Sequence, residues 1–192
     1  MASHGGSGMK TILEAIQQGL NAQAVVFIGN NKNSSAFEVA AQYHLDCHHL
    51  SSKTHPDPEQ LDHAICSILE RYQLDLLVLS GYMKKLGPIT LKKFSNRILN
   101  IHPSLLPNHG GQGMYGDRVH QAVIDNNEKQ SGASVHIVTD EYDQGPVLNQ
   151  KTVLVDENDT VDTLREKVKA VEGKLYVDTL SKIINGDIIL EK

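Results

Sequence analysis

Apolar positions along the chain follow two rhythms that alternate from start to finish. They recur at helical spacing over 9–20, 34–44, 57–73, 88–96, 117–127 and 160–184, which are predicted helices. Some carry boundary signals: Gly19 near the end of the first, Ser34 opening the second, Asp57 and Pro58 at the cap and first position of the third. Runs over 22–30, 45–52, 74–83, 96–102, 132–139 and 146–155, and a short one over 187–192, read as strands. "LDLLVLSGYM" is continuously apolar, as in a strand buried on both faces of a parallel sheet. The alternation predicts an α/β fold: a doubly wound, mostly parallel sheet flanked by helices. Ligands of such sheets gather at the carboxyl ends of strands, where Gly29-Asn30, Ser80-Gly81 and Asn100 to His102 fall.

The 192 residues are enough for one substantial core, and a single domain over 1–192 is expected. A net charge of −5 makes a poor partner for nucleic acid, so a small-molecule enzyme is favoured over a polynucleotide binder. No apolar run approaches the roughly 20 residues of a membrane span, and no leader resembles a signal peptide. The two cysteines, Cys47 and Cys66, form no disulfide framework. A reducing, cytoplasmic setting without membrane attachment is expected.

The opening "MASHGGSGMKTIL" reads as a Gly/Ser loop leading into a helix, the form of a phosphate cradle. Such a loop should follow a strand, yet only Met1 and Ala2 precede Ser3. The expectation is that the first, central strand is missing, or is supplied by an upstream segment or another chain.

The chemistry concentrates in "NIHPSLLPNHGGQGMYG", residues 100–116. Alternation puts Asn100 and His102 on one face of a strand that Pro103 terminates. An amide donor and an imidazole there could hold an oxyanion and move a proton, or simply line a polar strand end. "HIVTDEYDQGP" adds Thr139, Asp140 and Asp143 in a loop after another strand, its turn fixed by Gly145-Pro146. A carboxylate beside His102 would favour the imidazolium and orient it. Asn, His and Asp without an obvious nucleophile suit direct acyl transfer to an amine. Ser104 offers a competing nucleophile, but no Gly-x-Ser-x-Gly elbow surrounds it, and a turn-stabilising hydroxyl is the plainer reading. His44, Cys47, His48, His49 and His55 invite a metal reading, but their spacing matches no usual zinc pattern, and no metal is expected. Cys66 is read as core. Lys84-Lys85 is a solvated pair or touches an anionic ligand. Glu172 reads as a surface carboxylate, though Gly173 beside it, about 1 kcal/mol worse than alanine in a helix, would mark a close approach of ligand or backbone.

"LNIHPSLLP", "GASVHIVTDEYDQGP" and "VEGKLY", in that order, resemble the glycinamide ribonucleotide formyltransferases of purine synthesis, over essentially the whole chain from Ser3. The first stretch is shared by folate-dependent formyltransferases as a group; "GGQGMYG" followed by "VHQAV" resembles the glycinamide ribonucleotide branch. The resemblance implies a formyltransferase fold with a Rossmann-like N-terminal half on the ribonucleotide side and a C-terminal half completing the folate site. It implies transfer of a formyl group from 10-formyltetrahydrofolate, a co-substrate, to the amine of glycinamide ribonucleotide, without metal. By similarity Asn100 holds the formyl oxygen, His102 donates the proton, and Asp143 keeps His102 charged and oriented. Gly5, Gly6, Ser7, Gly8 and Glu172 fall on the ribonucleotide side. Met83, Lys84, Lys85, Leu86, Asn100, His136, Thr139 and Asp140 fall on the folate side. A monomer or homodimer is implied.

Departures from the family's pattern lie on or near the ribonucleotide side. "SHGGSG" stands where Ser-Gly-Asn-Gly-Ser-Asn is common, and Pro58 where an Arg is frequent. The alternatives are a formyltransferase acting on another amine such as an amino sugar, or an inactive folate-binding paralogue. A formyltetrahydrofolate hydrolase and a methionyl-tRNA formyltransferase would each call for a further domain.

Overall fold

The computed structural model describes residues 1–191, which fall into two compact units, 1–99 and 100–191. The element order is α1 (Ser7–Gln17), β1 (Val26–Gly29), α2 (Ser35–Gln42), β2 (Asp46–His49), α3 (Pro58–Arg71), β3 (Leu77–Leu79), α4 (Pro88–Lys93) and β4 (Ile98–His102). Then follow α5 (Asp117–Asp125), β5 (Gln130–Ile137), β6 (Val147–Leu154) and α6 (Val161–Ile184). The predicted alternation of helices and strands is present, and the fold is α/β. Among the described residues no helix is long and apolar enough to cross a membrane.

In the first unit β1 and β2 run parallel, with Val26 opposite Asp46 and Gly29 opposite His49. Their inner face packs Phe27 against Ala2, Ala36 and Ala40, with Met9, Phe37 and Leu45 at the edge of the cluster. The rings of Phe27 and Phe37 meet edge to face at 4.9 Å. Helix α3 starts as expected: Pro58 is at its beginning, and Asp57 accepts a hydrogen bond from Gln60 N at 2.8 Å. Buried Asp62 of α3 accepts from Ile89 N (2.7 Å), Thr90 N (3.1 Å) and Thr90 Oγ1 (2.5 Å). One carboxylate thereby satisfies the orphan donors that open α4. Cys66 is buried on α3, as expected of a core residue.

The place expected for a missing strand is held by the chain's own first residues. Met1 N donates to Val78 O (2.6 Å) and Ala2 N to Ile28 O (3.3 Å). Ser80 N donates to Met1 O (2.9 Å), and Ser3 N to Gly81 O (3.0 Å). Ala2 forms a parallel bridge with Gly29. Three residues therefore bond to strand ends on both sides, where a longer strand was expected.

In the second unit β5 and β6 form an antiparallel pair, Gln130 opposite Leu154, with a register shift at Val135/His136. The sheet order there is β4-β5-β6. From Ser131 to Ile137 β5 is buried on both faces, whereas β6 is largely exposed. Helix α6 opens with a reciprocal Thr160–Thr163 capping box and lies on β5 and β6. Its buried face runs through Leu164, Val168, Gly173, Leu175, Tyr176 and Thr179. Gly173 thus sits in a packed face. The predicted strand over 187–192 is not formed within the described residues. Asp187 N and Ile188 N both donate to Lys182 O, folding the chain back on the end of α6 (Lys192 lies outside the described residues).

Candidate active site

Strand β4 delivers Asn100 and His102, and Pro103 ends its pairing. His102 is buried and Asn100 half-buried. Strand β5 delivers buried His136. The loop after β5 delivers Asp143 at φ 57, a left-handed conformation that Asp tolerates better than most residues. Gly145 permits that turn, because a Cβ there would overlap the Ile137 carbonyl.

These four side chains meet. Asn100 Nδ2 lies 3.1 Å from His136 Nε2. His136 Nδ1 lies 2.9 Å from Ile137 O and donates to it, while Nε2 faces both the Asn100 amide and Asp143. The side-chain amide of Asn100 bonds His136, and it has no other hydrogen-bond partner among the described residues, which leaves an N–H for a ligand oxygen. Asp143 Oδ1 is 3.5 Å from His136 Nε2, and its Oδ2 is 3.4 Å from His102 Nδ1. Gly111 N donates to Asp143 Oδ2 at 3.0 Å. His102 Nε2 donates to His109 O at 2.8 Å.

The electrostatics follow from burial and these partners. Burial alone would raise the Asp143 carboxyl. The contact with His136, the charge of His102 and the Gly111 N–H outweigh it and hold the group below its ordinary value. His102 moves down: burial dominates, against Asp143 and the His109 carbonyl, which favour the protonated ring. Burial thus opposes the charged ring implied by the resemblance, while Asp143 and the His109 carbonyl support it. Once protonated, the ring finds an acceptor at each nitrogen. That is the arrangement of a group that takes up and returns a proton.

The loop over 103–116 is stitched to β5 and β6 of its own unit. Ser104 Oγ donates to Asn108 O at 2.5 Å, and Ser134 Oγ to Ser104 O at 2.6 Å. Leu106 N donates to Ser134 Oγ, and Gln150 Nε2 to Leu106 O. Ser104 is 1% exposed and turn-bound, the plainer of its two readings. Asp140 is exposed, and Thr139 Oγ1 donates to Glu141 O. Glu172 on α6 is half-buried, and burial pushes its pKa to about 7, so it is not the fully solvated carboxylate of the plainer reading.

In the first unit Gly6 (φ 70) caps α1, and a Cβ there would press on Ala36 at 3.0 Å. Helix α1 starts at Ser7, earlier than predicted, with no acidic residue in its first turn. A Cβ on Gly8 would meet Ser80 Oγ at 2.5 Å. Ser3 Oγ accepts from Met83 N at 2.7 Å, tying the loop's start to the segment 83–86. Met83, Lys84 and Lys85 are exposed there, whereas Leu86 is a core residue. Nearby, Asn30 Oδ1 and Ser34 Oγ are buried without a hydrogen-bond partner among the described residues. The metal reading of His44, Cys47, His48, His49 and His55 gains no support: among the described residues no group of three or more His, Cys, Asp or Glu is placed to hold a metal ion. His48 packs on Tyr72, and His49 on Phe37.

Sequence reasoning missed His109 O and Gly111 N, which are backbone groups, and it put His136 on the folate side without its role toward Asn100. The "NHGGQG" run was a visible turn signal, but which backbone atoms face His102 is set by packing.

The family described as Formyl transferase matches residues 1–180. The chloroplastic phosphoribosylglycinamide formyltransferase of Arabidopsis thaliana is 36% identical over 183 residues, 94% of this chain and 63% of that relative. This chain thus spans less than two thirds of that protein's length. The phosphoribosylglycinamide formyltransferase of Escherichia coli (strain K12) is 31% identical over 187 residues, 97% of this chain and 86% of the relative. The crystal structure of glycinamide ribonucleotide transformylase 1 from Symbiobacterium toebii matches with a TM-score of 0.91 at 31% identity, covering 99% of this chain and 88% of that one.

Proposed function

The chain belongs to the formyl transferase family, and on that premise we propose that it moves the formyl group of 10-formyltetrahydrofolate to the amine of glycinamide ribonucleotide. The observation that carries this reading is the cluster of Asn100, His102, His136 and Asp143 at the carboxyl end of β4. The substrate amine attacks the formyl carbon, and the carbonyl oxygen gains charge. Asn100's free N–H stabilises that oxyanion, a contribution worth about 3–4 kcal/mol when preorganised. His102 gives a proton to the departing folate nitrogen. Asp143 stabilises the imidazolium and relays the amine's proton through water to the ring, replacing the one His102 gives up.

The Gly5, Gly6, Ser7 and Gly8 loop at the start of α1 suits the ribonucleotide phosphate, because it offers helix N–H groups and no acidic side chain. Asn30 Oδ1 and Ser34 Oγ are polar groups that a ribonucleotide could satisfy. Met83, Lys84 and Lys85, with Thr139 and Asp140, are assigned to folate. Leu86, a core residue of the 83–86 segment, is assigned there as well, and Glu172 is assigned to the ribonucleotide.

The test is purified protein with the formyl donor, with and without glycinamide ribonucleotide. Formyl transfer that requires the ribonucleotide supports the proposal. Donor breakdown without it would mean water is the acceptor. Donor binding without turnover would mean an inert folate binder; either result overturns the reading.

A further inference from the structure

His102 and Asp143 are held from outside by one short stretch of loop. His109 offers its carbonyl to His102 Nε2 at 2.8 Å, and two residues later Gly111 offers its N–H to Asp143 Oδ2 at 3.0 Å. The ion pair is thus bracketed at both ends by residues 109–111. His109 adopts φ 55, which is uncommon outside glycine and persists only where the surroundings impose it. Its ring supplies that constraint. His109 Nε2 donates to Glu128 Oε1 at 2.6 Å, with the ring 10% exposed. Glu128 stands on an anchored turn after α5, its N–H bonded to Val123 O at 3.2 Å, and Lys129 O accepts from Val155 N.

We propose that Glu128, acting through the ring of His109, is a positioning residue that keeps the 109–111 backbone on His102 and Asp143. It touches no reacting atom. Its carboxylate fixes the His109 ring, the ring fixes the backbone, and the backbone fixes the direction of the His102 Nε2–H bond. This rests on the reading of His102 as the proton-handling group, and the test separates the two.

The test compares wild type with Glu128→Ala, Glu128→Gln, His109→Ala and the Glu128→Ala/His109→Ala double variant. A displaced backbone should lower kcat of Glu128→Ala about tenfold or more, because misplacement of a proton donor is costly. KM for both substrates should stay within about twofold. Glu128→Gln, whose amide oxygen still accepts from His109, should recover most of the activity. The double variant should be no worse than His109→Ala, since Glu128 acts only through that ring. The ¹⁵N signals of His102 should show a fixed Nε2–H in wild type and Glu128→Gln, and a weakened one in Glu128→Ala. Unchanged kcat and unchanged His102 signals in Glu128→Ala, with wild-type transfer intact, would overturn the clamp alone. Equal losses of kcat and melting temperature in Glu128→Ala and Glu128→Gln would also overturn it, leaving a structural role.

Discussion

Around His102 the protein completes its own polar network. Asn100 bonds His136, His136 bonds the Ile137 carbonyl, Asp143 receives Gly111 N–H, and His102 faces an acceptor at each ring nitrogen. At the Gly5–Gly8 loop the useful groups are backbone donors at the start of α1, and two buried oxygens nearby, on Asn30 and Ser34, have no partner among the described residues. On the proposed reading, the first site is shaped before any substrate arrives, and the second is finished by the ribonucleotide. Preorganised dipoles act on the transition state, whereas groups satisfied by the ligand act on its affinity. Substitutions in the two places should therefore separate in kcat and KM.

The largest effect belongs to the cluster. His102→Ala or Asn100→Ala should lower kcat by about 10²–10³-fold, with the melting temperature close to wild type. Turnover near the wild-type level would remove either residue from the mechanism. The loop should respond differently. In Gly6→Ala the new Cβ meets Ala36 at 3.0 Å and the residue must hold φ 70. The strain is on the order of 1–2 kcal/mol, and KM for the ribonucleotide should rise about tenfold by that arithmetic, with kcat little changed. A fall in kcat at constant KM would erase the distinction drawn above.

Glu172 sharpens the comparison through stability. Its carboxyl is raised from 4.5 to about 7 by burial, so the folded state binds its proton more tightly than the unfolded state. The stability this gives is fully present below pH 4.5 and is lost as pH rises through about 7. Glu172→Gln removes that dependence. At pH 8 it should be more stable than wild type by up to about 3 kcal/mol, and at pH 4 it should show little gain. Chemical denaturation at the two pH values checks this. A variant equally or less stable at pH 8 would mean that the buried carboxylate is compensated.

What the sequence made legible follows from how local each signal is. The caps and periodicity of α3 and α6 are local, and both helices form close to where their patterns begin and end. The run over 74–83 reads as one strand, yet β3 covers only Leu77–Leu79. Beyond Leu79 the backbone turns to serve Met1 and Ser3, with Ser80 N, Gly81 O and Met83 N all bonded to that segment. "DIILEK" has the composition of a strand, but Asp187 and Ile188 cap the carbonyl of Lys182 instead. Asn100 and His102 stood out through residue type and position, and Asp143 was singled out from its loop by the family resemblance. His109 and Gly111 act through main-chain atoms that any residue carries, so only the tertiary fold reveals them.

The most direct test of the central claim is an NMR titration of His102 in wild type and in Asp143→Asn. Asp143 is the negative neighbour that favours the protonated ring against the lowering effect of burial. Replacing it with a neutral amide should move the His102 pKa further down, with formyl transfer falling in parallel. A His102 pKa that stays where it was would contradict the account, because the two side chains would then not form one proton-handling unit.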